Sequence, residues 1–345
     1  MKRLMQASGV LRLARTSRAS AKPPAWVLAL GQALTRVGMA AGERRSISRA
    51  DGSGFEMKLF RNRQGARRYK LFVPQARPHR GLPLVVMLHG CGQSPDDFAA
   101  GTRMNRLAEE HGVLVAYPEQ PASANAQGCW NWFRPENQRH GSGEPALIAG
   151  ITRAVMRSQS VDPRRVYVAG LSAGGAMAAT MAVLYPELYA AVGVHSGLPF
   201  AAASGIVSAI AAMRRGAPVS SCQGIAGASA RGRAVPTIVF HGDDDATVHP
   251  GNGDQVLAQA IASERDRLAA TIEQGEQAGG RTYSRTRYAG STAPPRFEQW
   301  VVHGSGHAWS GGSAEGSFTD PRGPDASQAM LRFFLTHVRP VRRGG

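Results

Sequence analysis

The chain has 345 residues, 43% of them apolar and 19% charged, with 41 glycines, 21 prolines and a formal net charge of +17. That length can bury one large core or two modest ones, and the composition is that of a turn-rich globular protein rather than a disordered one. No apolar run is long enough to span a bilayer as a helix, which argues against an integral membrane protein.

Residues 1–50 carry ten Lys/Arg against a single acid, Glu43, so +9 of the +17 lies in this arm. It reads as a poorly ordered, solvated extension with one or two short amphipathic helices. Such an arm can touch nucleic acid, an anionic membrane or an acidic polymer. It lacks the interleaved aromatics of a nucleic-acid module, so no specific nucleic-acid partner is expected. Arg12, Arg15, Arg18 and Lys22 interrupt any early apolar region, and the later stretch 25–34 contains Gln32, which argues against a cleaved secretory leader. Residues 51–345 show no linker and no internal repeat and read as one domain.

Within that domain, MKLFR (57–61) and RRYKLFVP (67–74) predict a hairpin turning at Asn62–Gly65. LPLVVMLHG (82–90) is a continuous apolar run suited to a strand buried on both faces. A helix over about Asp97–His111 and a strand over 112–119 follow. The stretch 120–143 is long, irregular and rich in Asn, Gln, Gly and aromatics, the profile of a functional loop. Pro145 marks the first turn of a helix reaching about Ser160, with Glu144 at its positive end. RRVYVAG, AAVGVHS and VPTIVFHG are three more buried strands separated by helical segments, although the Ala/Gly/Ser-rich piece 201–234 has no clear pattern. RFEQWVVHG (296–304) is the last strand, and Asp325–Val338 is a closing helix with Met330, Phe333, Phe334 and His337 at helical spacing. Strands alternating with helices imply a mostly parallel sheet with helices on both faces and the hairpin at one edge.

Active groups in such a sheet gather beyond the carboxyl ends of the strands. Those ends supply His89-Gly90-Cys91, Gly170-Leu171-Ser172-Ala173-Gly174, His241-Gly242-Asp243-Asp244-Asp245 and His303-Gly304-Ser305-Gly306-His307. The order Ser…Asp…His, with G-x-S-x-G at a strand-to-helix join, is the α/β-hydrolase arrangement. A serine hydroxyl needs an imidazole to take its proton, and a carboxylate to fix that imidazole's tautomer. Ser172 is therefore the expected nucleophile, with Ser196 lining the pocket. His307, in a Gly/Ser-rich loop, is the expected base, whereas His241 and His303 at strand ends read as structural and His337 as helix packing. Spacing does not choose among Asp243, Asp244 and Asp245. Three cysteines, Cys91, Cys129 and Cys222, permit one intrachain disulfide at most, and the sequence does not pair them.

These residues resemble the poly(3-hydroxybutyrate) depolymerase-type esterases, related to feruloyl and acetylxylan esterases within the α/β-hydrolase superfamily. The likeness is carried by VVMLHGCGQSPDDFAAGTRMNRLAEEHGVLVAYPEQ (85–120), GCWNWF (128–133), GEPALIAGI (143–151), VDPRRVYVAGLSAGGAMA (161–178), HGDDDATVHP (241–250) and GSGHAWSGG (304–312), and spans roughly 55–340. It implies an α/β-hydrolase catalytic domain with Ser172 as nucleophile, Asp245 as acid and His307 as base. The backbone N–H groups of Cys91 and Ala173 become the oxyanion donors. Trp130, Trp132, Phe133 and Trp309 are then expected along an apolar cleft, and Cys91 and Cys129 as a disulfide holding the aromatic loop near the oxyanion site. The implied chemistry uses no metal and no cofactor, and the substrate is an ester, a hydroxyalkanoate oligomer or small ester. The resemblance points outside the cell, whereas the lack of a convincing secretory leader leaves the cytoplasm as the alternative. Relatives that attack polymers often add a surface-binding domain, for which these residues leave no room. Feruloyl or acetylxylan ester hydrolysis is the alternative, and a non-catalytic protein binding anionic polymers through its arm is a remote one.

Overall fold

The computed structural model describes residues 54–75, 81–218, 234–262, 264, 267–290 and 294–340. The basic arm, Cys222 and most of the piece 219–234 lie outside these residues.

Ten strands form one sheet: β1 (Gly54–Asn62), β2 (Gly65–Val73), β3 (Leu82–Leu88), β4 (Leu114–Pro118), β5 (Val161–Leu171), β6 (Ala191–His195), β7 (Thr237–Gly242), β8 (Ala269–Glu276), β9 (Thr282–Ala289) and β10 (Phe297–Val302). Their spatial order is β1-β2-β4-β3-β5-β6-β7-β10-β9-β8. The six central strands, β4 to β10 in that order, are mutually parallel. An antiparallel pair flanks them on each side. The β1–β2 hairpin is where the sequence places it; the β8–β9 hairpin at the opposite edge was not expected. β8 is almost wholly exposed and β9 only half-buried, so neither offers the apolar run by which the other strands announce themselves.

Seven α-helices accompany the sheet among the described residues: α1 (Pro95–Thr102), α2 (Met104–His111), α3 (Gly143–Ser158), α4 (Ala173–Leu184), α5 (Ile206–Arg215), α6 (Gly251–Ala262) and α7 (Ala326–Thr336). Side chains alternate across the sheet, as strand geometry requires. Leu84, Val86, Leu88, Val166, Val168, Val192 and Val194 pack with Ile148 and Ile151 of α3, Met177 of α4 and Val256 of α6. Val85, Met87, Tyr167, Ala169, Ile238 and Phe240 face the other way, onto Phe98, Met104 and Leu107 of α1 and α2 and onto Met330 and Phe334 of α7. Each such fully buried aliphatic or aromatic side chain contributes about 1.5–3 kcal/mol.

The single helix expected over Asp97–His111 is two. Arg103 takes the left-handed conformation at φ 53° and breaks it. Tertiary bonds hold the break open: Ser327 Oγ donates to Thr102 O at 2.6 Å, and the Arg103 guanidinium donates to Gly311 O and Asp325. The closing helix forms as expected, capped by Asp325, whose carboxylate accepts from Gln328 N.

Candidate active site

β3, β5, β6, β7 and β10 run parallel, so the residues following them emerge along one edge of the sheet. After β5 the chain bends within one residue. Ser172 sits at φ 57°, ψ −120°, and α4 begins at Ala173. A serine held there stores about 1–3 kcal/mol of backbone strain, tolerable only where the surroundings enforce it. Enforcement comes from close packing: a Cβ on Gly174 would stand 2.0 Å from Leu88 O, and one on Gly170 would stand 2.3 Å from Gly174 O. Glycine at both flanks of Ser172 is thus a packing requirement, which lets α4 start directly against the end of β3.

Asp245 and His307 lie in the loops after β7 and β10. His307 Nδ1 donates to Asp245 Oδ2 at 2.7 Å, with the Asp245 side chain wholly buried. Asp245 Oδ1 accepts from Thr247 N at 2.9 Å and Val248 N at 2.8 Å, which fixes the carboxylate plane. Burial alone would raise the Asp245 carboxyl, but hydrogen bonds from His241 and His307 outweigh it and hold the group well below the usual carboxylate range. A carboxylate on Nδ1–H leaves Nε2 of His307 as the basic nitrogen. Ser172 Oγ and His307 Nε2 are not hydrogen-bonded in this structure. Such contacts are commonly long without substrate and tighten when it binds.

Of the three adjacent aspartates, only Asp245 meets His307. Asp243 accepts from His303 Nδ1 at 2.8 Å and from Gly304 N at 2.7 Å, tying the two loops together, and the Asp244 side chain is exposed. His303 is held between Asp243 and, through Nε2 at 2.9 Å, the Ser284 hydroxyl. His241 is buried: its Nε2 donates to Val248 O at 2.9 Å and lies 3.3 Å from Asp245 Oδ2, the carboxylate oxygen that His307 also meets.

Cys91 follows β3, and Ala173 is the first residue of α4. Among the described residues, no acceptor is bonded to the N–H of either, so both stay available, and the helix start favours a developing anion there. A polar scaffold supports the Cys91 turn. Gly90 N donates to Gln93 Oε1 at 2.9 Å, Gly92 N to Gln127 O at 2.8 Å, and Trp130 Nε1 to His89 O at 3.1 Å. The Cys91–Cys129 disulfide is present and closes a 38-residue span. A loop of that size is worth about 4 kcal/mol in the chain-entropy account. Iodoacetamide should therefore leave both cysteines unlabelled until the protein is reduced, and mass mapping that finds them free in oxidised protein would remove the bond.

Beneath this loop lies Glu144, placed by the sequence only at the start of α3. It is buried and accepts from Asn131 N at 2.8 Å, Asn131 Nδ2 at 2.7 Å and Gln120 Nε2 at 2.6 Å, with the buried Arg67 guanidinium 4.0 Å away. Gln120 N in turn donates to His89 Nε2 at 3.1 Å. The signal that could have found this carboxylate is the Asn/Gln content of 120–143, a set of donors in want of an acceptor.

The residues expected along a cleft divide. Trp132 and Phe133 pack edge-on at 5.5 Å, and Phe133 is partly exposed. Trp130, Trp309 and Ser196 are wholly packed among protein groups. Trp309 stacks on His195 at 5.0 Å and donates Nε1 to Ser327 Oγ. Ser196 Oγ lies 3.1 Å from His195 Nδ1.

The family model for Esterase PHB depolymerase matches residues 67–286. Poly(3-hydroxyalkanoate) depolymerase C of Paucimonas lemoignei is 32% identical over 242 residues, covering 68% of this chain and 56% of that protein. Feruloyl esterase B of Thermothelomyces thermophilus is 32% identical over 192 residues, covering 51% of this chain and 64% of that one. The chain thus spans little more than half the length of the first of these relatives and under two thirds of the second. Among solved structures, the acetyl xylan esterase from Aspergillus awamori shares the fold at a TM-score of 0.63 and 19% identity, covering 81% of this chain and 99% of that one. With a family match over most of the described domain and strand ends bearing the residues that the resemblance named, the chain belongs to the PHB depolymerase esterase family.

Proposed function

We propose that the protein hydrolyses carboxylic esters by two-step acyl transfer through Ser172, His307 and Asp245. The observation that carries this reading is the buried 2.7 Å bond from His307 Nδ1 to Asp245 Oδ2, at the same sheet edge as a serine held in a strained turn. Ser172 Oγ attacks the ester carbonyl while His307 Nε2 takes its proton, and Asp245 stabilises the imidazolium. The Cys91 and Ala173 N–H groups hold the oxyanion, each donor of this kind being worth about 10²–10³ in rate. His307 returns the proton to the departing alcohol, then activates water to release the acid from Ser172.

Hydroxyalkanoate oligomers or small esters are the substrates favoured, since the depolymerase relative matches over the larger share of the chain. Feruloyl or acetylxylan esters are the second reading, supported by the equal identity to feruloyl esterase B. The disulfide favours an oxidising, extracellular setting. A fluorophosphonate probe should label one residue, Ser172, and the labelled protein should lose all turnover. Label elsewhere with activity lost would move the nucleophile, and absence of label would favour a binding protein. Rates on hydroxybutyrate oligomers, p-nitrophenyl esters of graded chain length and methyl ferulate then separate the two substrate classes.

A further inference from the structure

His195 ends β6, and three of its atoms are committed to different parts of the site. Its carbonyl accepts the Ser172 N–H at 2.9 Å, so it anchors the nucleophile turn. Its ring Nε2 lies 3.0 Å from Ser310 N, three residues beyond His307. Its Nδ1 faces Ser196 Oγ at 3.1 Å. A backbone N–H can only donate, so Nε2 is bare and Nδ1 carries the proton. The ring is clamped between Phe240, stacked at 5.7 Å, and Trp309, stacked at 5.0 Å.

We infer that His195 is a positioning residue: as a neutral imidazole it holds the Ser172 turn and the His307 loop in register with each other. The inference rests on the triad reading and adds to it a second histidine, one that acts through the backbone rather than on the substrate. The neutral form is the stable one, because burial, with the neighbouring His241 and His307, lowers the ring's pKa to about 3. A doubly protonated ring would set an N–H against the Ser310 N–H, so the acceptor role requires this suppression. Trp309 gains its purpose here as well, as one wall of the clamp rather than as a substrate contact.

The test compares three variants on p-nitrophenyl acetate, with thermal unfolding recorded for each. His195→Phe keeps a stacked ring and loses the acceptor. His195→Asn replaces the Nδ1 side alone, and His195→Gln returns an oxygen near the Nε2 position. His195→Phe and His195→Asn should lower kcat about 10–100-fold with KM within about twofold, the effect of a small displacement of reacting groups. His195→Gln should recover most of the loss. Equal activity of the Asn and Gln variants, or a loss that follows only the melting temperature, would overturn the inference. Nitrogen-15 NMR of the unaltered protein gives an independent reading: Nε2 of His195 should be unprotonated, and a protonated Nε2 would overturn the inference even if no variant folds. Fluorophosphonate labelling of the unaltered protein separates the two levels. Without label on Ser172 the triad itself fails, whereas label with variants acylating at the normal rate removes His195 alone.

Discussion

Ser172→Ala should lower kcat for p-nitrophenyl acetate on the order of 10⁶-fold, leaving the residual rate that binding and oxyanion contacts supply. Alanine removes one oxygen and adds nothing, so no atom enters the crowded join of β5 and α4. The backbone bonds of the turn persist, including Ser172 N–H to His195 O, and Ala176 N still donates to the residue 172 carbonyl at 2.9 Å. Melting temperature and KM should therefore stay near those of the unaltered protein, which separates lost chemistry from lost fold. Retention of about a hundredth of the rate or more would exclude Ser172. The neighbouring Ser196 is no substitute, since it is buried and its hydroxyl faces His195 Nδ1.

The second large effect is expected at Asp245. Asp245→Asn should cost about 10⁴ in kcat, because an amide no longer enforces the Nδ1–H tautomer of His307. Asp243→Asn and Asp244→Asn should each stay within about tenfold, the first because it ties loops through His303 rather than orienting His307, the second because it is exposed. The sign of the accompanying pH effect follows from the depressed carboxyl. Its folded pKa lies below the unfolded value of about 3.9. Its contribution to stability is thus complete above that pH and is lost as pH falls through the folded value, so acid unfolding is where it shows. A Asp245→Asn protein should consequently show a flatter stability profile in acid, measured by denaturant unfolding between about pH 2 and 7. An unchanged profile would mean that His241 and His307 do not hold the charge as the geometry indicates.

Where apolar runs exist, the sequence was enough to place the strands. β3, β4, β6, β7 and the second half of β5 from Val166 are buried on both faces, and hydrophobicity alone separates them from their surroundings. The β8–β9 hairpin escaped because Thr271, Glu273, Gln274 and Glu276 cover no core; it extends the sheet through backbone pairing, which leaves little trace in side chains. The break at Arg103 escaped for a similar reason, since the bonds that cause it come from residues more than 200 positions away. Within the site, the placement of Ser172 and His307 beyond strand ends was legible, but three consecutive aspartates offer no internal distinction until the turn of Thr247 and Val248 orients one of them. His241 read as structural and His195 drew no reading, because a buried histidine at a strand end carries no mark of what its ring nitrogens face. Glu144 was recognised for its place on a helix, while its main business is with the loop before that helix.

The two flanking hairpins have a consequence for the behaviour of the molecule in company. A six-stranded parallel platform ends, at either side, in a line of backbone groups to which another chain can add. Among the described residues, the outermost strands here are β1, bearing Glu56, Lys58 and Arg61, and β8, bearing Glu273 and Glu276. The strands whose ends carry Ser172, Asp245 and His307 are thereby kept at least two positions from either border, and the borders themselves carry charge, which disfavours edge-to-edge joining of copies. The β8–β9 hairpin, whose outer strand adds almost nothing to the core, acts as a fender between the parallel strands and any neighbouring copy.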